Sequence, residues 1–382
     1  MKESSRRTFV ATAGAALTGL AGCIGRGGIG TERRDGERTT ASETTTDETT
    51  TRGQTERGVP LAASQRPVEY EFEKLRDEVL SGGPPKDGIP SIDEPRFWTA
   101  DEADAELRAE DVVFGLVRNG EVTAYPQKIL AQHEIVNDEA GDEPVAVTYC
   151  PLTGTAMGFE RGETTFGVSG NLVNNNLVMY DRETDSRWPQ ILATAISGEF
   201  EGESLREFRL VWTTWERWKE VHPDTKVLSE DTGYVRNYDN DPYGSYVPEP
   251  SGYYVRDATL FPPLGSDDRF PNKHVVTGSR TGTGRIAFDK SSLCEAGLLS
   301  GSAGGTASLA TYDAALDTAY VYRNPEEASF EYGGERNERD EPVVAADGTS
   351  YAPADLPLDR VYTFDAMWFA WSGFYPSTEV VE

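Results

Sequence analysis

Residues 113–161 read VFGLVRNGEVTAYPQKILAQHEIVNDEAGDEPVAVTYCPLTGTAMGFER. Val112 to Val117 has the composition of a strand, Asn119-Gly120 is the preferred dipeptide of a two-residue hairpin turn, and Glu121 to Tyr125 returns. Pro126 suits the first turn of a helix, expected over Gln127 to Val136. Pro144 precedes a strand, Val145 to Tyr149, which delivers Cys150 into the turn Pro151-Leu152-Thr153-Gly154. Thr155 to Phe159, a turn at Arg161-Gly162 and Thr164 to Val168 make a second hairpin. The expected unit is hairpin, helix, hairpin.

That unit recurs at a constant offset of 163, where residues 113–161 lie over residues 276–324 without a gap and ten of the 49 pairs are identical. Chance gives about three at ordinary residue frequencies. The pairs also match in type, with Tyr125 over Phe288, Ile135 over Leu298 and Phe159 over Tyr322, so core positions meet core positions. The polar chemistry does not recur. His133, Glu134, Asn137, Asp138 and Cys150 meet Ala296, Gly297, Ser300, Gly301 and Asp313. A scaffold role predicts that the second copy keeps some of these residues, so their confinement to the first copy points to a site there.

On the expected helix His133 follows Ile129 by four residues and points with the apolar stripe toward the core, with Asn137 one turn on. Cys150 ends the strand beneath, so thiol and imidazole are expected to meet. Such a thiol is a nucleophile or a soft metal ligand. An enzyme would use Cys150 as nucleophile, His133 as base, Asn137 or Glu134 as the orienting group, and the N–H groups after Cys150 as an oxyanion site. A metal site would use Cys150 and His133 with Met157, Asp138 or His222, a donor set suited to a soft transition metal such as copper. The bland alternatives are a satisfied core histidine, an inert buried thiol, or a Cys150–Cys294 disulfide, which an exported protein favours.

Between the repeats, Asn171, Asn174, Asn175 and Asn176 read as turn chemistry or a polar pocket wall. Thr213-x-x-Glu216 has the form of a capping box for a helix bearing Trp215 and Trp218, which His222 ends before Pro223. Six tyrosines from Tyr234 to Tyr254 make an aromatic-rich insertion, read as an ordered loop over the site or a sugar-stacking surface. After the second repeat, residues 326–348 are expected to form an acidic, solvated hairpin or loop. Tyr362 to Trp371 is expected to be a core helix, too short to span a bilayer.

Ser5-Arg6-Arg7-Thr8-Phe9-Val10 is a twin-arginine export motif, and Leu20-Ala21-Gly22-Cys23 reads as a lipobox with Cys23 lipidated. Residues 24–67 are rich in Thr, Ser and Glu with few large apolar side chains, as in a disordered stalk, which leaves residues 68–382 as one globular domain. A membrane partner through the lipid, on the outer face of the cell membrane, follows. The net charge of −29 excludes nucleic acid as a partner. Eight Lys among 36 basic residues, with the acid excess, fit a surface adapted to molar salt. The chain has no phosphate loop, dinucleotide fingerprint or serine-nucleophile elbow.

HEIVND, VTYCPLTGTAMGF, FGVSG and NLVMYDRET, with Trp188-Pro189-Gln190, Thr214-Trp215, His222-Pro223-Asp224-Thr225 and Asp231-Thr232-Gly233-Tyr234, resemble the exported proteins grouped as domain of unknown function 3179. The likeness covers about Asp87 to Glu382. It implies a coherent fold and brings no reaction with it. Members of that family often carry a second cysteine three places after the first, where this chain has Thr153, which counts against a dithiol mechanism.

The chain is thus expected to be an α+β protein of two pseudo-repeats with an inserted aromatic-rich segment. Its function is expected to be that of a surface-anchored lipoprotein with a binding or structural role at a Cys/His pocket in the first repeat, with soft-metal binding through Cys150 and His133 and a cysteine-nucleophile enzyme as the two alternatives.

Overall fold

Hairpin twist sets the first sheet. Strands β1 (Val112–Arg118) and β2 (Glu121–Pro126) pair through a turn in which Asn119 and Gly120 both take positive φ, 50° and 81°. That conformation matches the right-handed twist of the flanking strands. The computed structural model describes residues 58–382 apart from Thr283 and residues 334–341. The expected signal 1–23 and the expected stalk as far as residue 57 therefore lie outside the described residues. From Gly58 the chain packs: Val59 is buried, and Leu61 bridges to Leu205.

Helix α1 (Gln127–His133) stops three residues short of the expected Val136. Glu134 turns left-handed (φ 59°), its N–H closes the last turn on Leu130, and its carbonyl accepts from Tyr149 N–H. Chain direction reverses there, so Ile135 begins strand β3 (Ile135–Ala140), followed by β4 (Glu143–Cys150) and β5 (Thr155–Glu160). The unit is hairpin, helix and three-stranded meander.

The expected hairpin between Thr155–Phe159 and Thr164–Val168 is not formed. Strand β6 (Phe166–Val173) joins a different sheet with β7 (Asn176–Asp181), while the free edge of β5 takes β8 (Glu207–Phe208). Asn137 holds the switch, since its side chain accepts from Phe166 N–H and donates to Phe166 C=O. Arg161 binds the carbonyls of Val145 and Thr164 at the same crossing.

Strand β9 (Val211–Thr214), helix α2 (Trp215–Val221) and strand β10 (Lys226–Leu228) close the first sheet in the order β9-β1-β2-β10, with Phe97–Trp98 outside β10. Thr214 is the N-cap of α2 and caps through no side chain; Thr213 belongs to β9, so the capping box is not made. His222 ends the helix as expected.

In the second half, β11 (Val275–Arg280), β12 (Arg285–Asp289), α3 (Lys290–Ala296), β13 (Leu298–Ala303), β14 (Thr306–Asp313) and β15 (Thr318–Arg323) follow the same order. The tail expected as a helix from Tyr362 splits into β16 (Thr363–Met367) and α4 (Trp368–Phe374), then β17 (Glu379–Val381). Its first part is strand because β11 offers a free edge, with Val276 opposite Ala366 and Thr277 opposite Asp365. The sheet order is β16-β11-β12-β17. Trp218 of α2 lies over Gly115 and donates to Thr225 Oγ1; Trp371 of α4 lies over Gly278 and donates to Thr378 Oγ1. The acidic stretch after Asn324 forms a small sheet from Phe330–Tyr332, Val343–Ala345 and Ser350–Tyr351. Among the described residues no helix is long and apolar enough to cross a membrane. The result is a mixed, strand-rich α+β architecture.

Candidate functional site

His133 closes α1 and is wholly buried, yet it does not face Cys150 with a free nitrogen. Its Nδ1 lies 2.7 Å from Pro90 O, which can only accept, so that nitrogen carries the proton. Nε2 then accepts from Tyr238 O–H at 2.7 Å, and Tyr238 is joined to Thr232 Oγ1 at 2.6 Å. Burial pushes the imidazole pKa below its ordinary value, so the ring is neutral at pH 7. The histidine ties the segment around Tyr238 to the loop before Ile92.

The other expected site residues also have their own partners. Asn137 binds Asp93 Oδ1 and the Phe166 backbone. Asp138 accepts from Tyr125 O–H at 2.6 Å, and burial raises its pKa. Met157 is fully buried in the same apolar cluster as Cys150. His222 stacks against Trp218. Among the described residues no three His, Cys, Asp or Glu side chains converge as metal ligands would. Cys150 and Cys294 are both free thiols, so the disulfide considered between them is not formed.

Cys150 is 1% exposed. Its sulfur accepts from Leu177 N–H at 3.4 Å and donates to Asn175 O at 3.6 Å. Burial, reinforced by the nearby Glu134 charge, pushes its pKa up to about 11. At neutral pH it is a thiol.

Glu134 is the residue that the local structure does not explain. It is 6% exposed, and its carboxyl oxygens are not among the buried atoms left without a partner, so a carboxyl with no bond to a described residue keeps a narrow contact with solvent. Burial alone raises its pKa from 4.5 to about 8. Its backbone is strained, because a side chain at φ 59° is crowded where glycine is not. The corresponding turn of the second half is made by Gly297 (φ 75°), whose N–H bonds Leu293 O and whose carbonyl accepts from Tyr312 N–H. The acid therefore stands at a backbone position suited to glycine. Cys150 and Tyr243 lie close enough to sense its charge.

A tyrosine-rich segment covers this floor. Gln127 Nε2 reaches Asp241 Oδ2 at 2.8 Å, with Tyr254 and Tyr149 hydroxyls at 3.3 and 3.4 Å. Tyr246 stacks on Tyr254 at 3.9 Å, and Tyr253 donates to Leu152 O in the turn after Cys150. The asparagines fix neighbouring segments: Asn175 grips the backbone of Phe261 through both its atoms, Asn174 joins Leu264 to α4, and Asn176 binds Thr153 and Gln190. Gln127 and Asp241 were not among the residues singled out by sequence, since a lone amide or acid far away in the chain carries no motif, whereas Tyr243 belongs to the tyrosine-rich insertion expected over the site. Glu134 had a signal, its alignment with glycine.

Residues 86–378 match the model of a family described as Protein of unknown function (DUF3179). No curated protein and no solved structure matches the chain. The match spans well over half of the sequence, and the chain belongs to that family.

Proposed function

We propose that this family member is an exported protein, tethered through lipid on Cys23 to the outer face of the cell membrane, that binds a small molecule at the Glu134–Cys150 floor of its first half. The observation that carries the binding site is Glu134. A largely buried acid on a left-handed backbone costs folding free energy on the order of 1–3 kcal/mol for the backbone alone. Such a cost is retained where it serves something else. With its proton on, the carboxyl donates one hydrogen bond and accepts another, and the Cys150 thiol and Tyr243 hydroxyl beside it are neutral as well. A polar, uncharged group of a ligand would complete the set.

The twin-arginine motif, the lipobox and the Thr/Ser/Glu-rich stretch support the export and anchoring. The acid excess supports adaptation to molar salt, which shortens the Debye length to about 3 Å and screens self-repulsion. Residues 113–161 and 276–324 are, in this reading, copies of one unit. Identical strand registers support it, with Ile135 opposite Thr148 and Leu298 opposite Thr311, and with Cys150 opposite Thr155 and Asp313 opposite Thr318. The copper-like site of Cys150, His133, Met157 and Asp138 has less support, because Cys150, His133 and Asp138 are already hydrogen-bonded. The nucleophile reading meets a thiol near pKa 11 and a histidine with both nitrogens bonded.

The test is native mass spectrometry of the protein exported by its own host. A small molecule released on denaturing the wild type and missing from Glu134→Ala, which has neither donor nor acceptor, supports the reading. Equal yield from both, or none from either, contradicts it.

A further inference from the structure

A second concavity, separate from the Glu134 floor, opens where the two halves meet. It measures about 270 Å³ and is walled by Trp212, Tyr246 and Tyr254, with Lys290 and Asp365 at its polar side. Trp212 comes from β9, the edge strand of the first sheet, and Asp365 from β16, the edge strand of the second. The concavity therefore exists only where both halves contribute.

Its aromatic wall is fixed in advance. Trp212 is packed by Phe114 (ring centroids 5.0 Å), Tyr149 (5.8 Å) and Tyr246 (5.5 Å), each meeting it close to edge-on. Tyr246 is held from behind by its stack on Tyr254. A platform with so little freedom left loses little entropy when a ligand lies on it.

Its charge is balanced. Lys290 Nζ pairs with Asp365 Oδ2 at 2.5 Å, and Asp365 Oδ1 accepts from Thr277 Oγ1 at 2.7 Å. Lys273, also on the wall, gives its ammonium hydrogens to the carbonyls of Tyr253, Arg256 and Ala258. An ammonium has three donors, so Lys273 has none left over. No spare cation waits for a carboxylate or phosphate, and the net charge of −29 repels anions further. What faces the space is a donor beside an acceptor, Lys290 next to Asp365, next to aromatic rings. Two adjacent hydroxyls on a ring with an apolar face complement that arrangement, as a polar pair orienting a ligand in an otherwise apolar cleft.

We infer that this cavity takes a neutral pyranose, its apolar face against Trp212, its rim against the perpendicular Tyr246 ring, and two vicinal hydroxyls bridging Lys290 and Asp365. The inference goes beyond the Glu134–Cys150 reading and does not need it.

The test titrates the full-length exported protein, in detergent, with the methyl pyranosides of glucose, galactose and mannose and with their trisaccharides. Glucuronic acid and phenol serve as controls, and tryptophan fluorescence and calorimetry are the readouts. At least one neutral sugar is expected to saturate, at least tenfold tighter than glucuronic acid or phenol. Trp212→Ala should weaken it tenfold or more. Lys290→Gln, which places at the start of α3 the residue that α1 carries, should also weaken it when titrated well below its own melting temperature, which the loss of the Asp365 counter-charge lowers. Glu134→Ala should leave sugar affinity unchanged, which separates this site from the one proposed above. Equal affinity for a methyl pyranoside and its trisaccharide assigns a free sugar, and tighter binding of the trisaccharide assigns a glycan end. No saturation by any neutral sugar, equal binding of phenol or glucuronic acid, or unchanged affinity in Lys290→Gln overturns the inference.

Discussion

At the scale of the residue, the buried Glu134 makes stability depend on pH. Its proton leaves near 4.5 in the unfolded chain and near 8 in the folded one. Between those values the folded state binds more protons, so raising the pH favours unfolding, by at most about 1.4 kcal/mol per pH unit. Below 4.5 the contribution is fully present, and above 8 it is gone. Denaturant unfolding at fixed salt from pH 5 to 8 should show the wild type losing stability relative to Glu134→Gln, with parallel curves if the carboxyl is unperturbed. This residue was legible in part. The alignment of Glu134 with Gly297 marks a backbone position that favours glycine, and that signal is physical. Of the two expectations for His133, partner of Cys150 or satisfied core histidine, its bonds fit the second, and helical spacing could not decide, because it shows which way a side chain points but not which carbonyl it meets; Pro90 and Tyr238 are far from it in sequence.

At the scale of the element, two glycines allow two helices to dock. A Cβ on Gly115 would lie 2.0 Å from the Trp218 ring, and one on Gly278 would lie 2.2 Å from Trp371. Neither ring can retreat, since each indole N–H is bonded to a threonine beyond the helix. Gly115→Ala and Gly278→Ala should each destabilise by about 1–3 kcal/mol or more, the range for overpacking a filled core. Thermal or denaturant unfolding reads this, and a loss under 0.5 kcal/mol in either contradicts the packing. The first hairpin and the strands ending at Cys150 were legible because Asn-Gly and alternation are local signals. The end of α1 at His133 and the departure of β6 to another sheet were not, since they are decided by Tyr149 binding the Glu134 carbonyl and by Asn137 holding Phe166. The tail misled for a related reason: its aromatic run satisfies both a strand and a helix, and only the free edge of β11 makes the first part a strand.

At the scale of the whole described chain, the halves are joined by buried charge. Arg280 on β11 and Glu207 on β8 pair at 2.7 Å with side chains 0% and 1% exposed, Arg66 adds a second contact to Glu207, and the Arg280 guanidinium lies over the Tyr362 and Phe364 rings. Glu207→Gln leaves Arg280 buried without its counter-charge and should cost about 3–5 kcal/mol. Glu207→Gln together with Arg280→Met should recover part of that loss, and a double variant no better than the single one would show that the pair is not coupled. Nothing in the sequence announces this contact, because Glu207 and Arg280 are 73 positions apart with no repeat between them. At this scale the constant offset anticipated that the second half follows the element order of the first, β11-β12-α3-β13-β14-β15 after β1-β2-α1-β3-β4-β5.

The central claim is that Glu134 is kept for a ligand at the expense of the fold. The unfolding free energy of Glu134→Gly against the wild type, without ligand at pH 7, tests it most directly. The substitution relieves both the left-handed strain and the buried carboxyl, so the variant should be more stable by about 1 kcal/mol or more, net of the flexibility glycine adds to the unfolded chain. A variant less stable than the wild type would make the Glu134 side chain a structural prop and contradict the account.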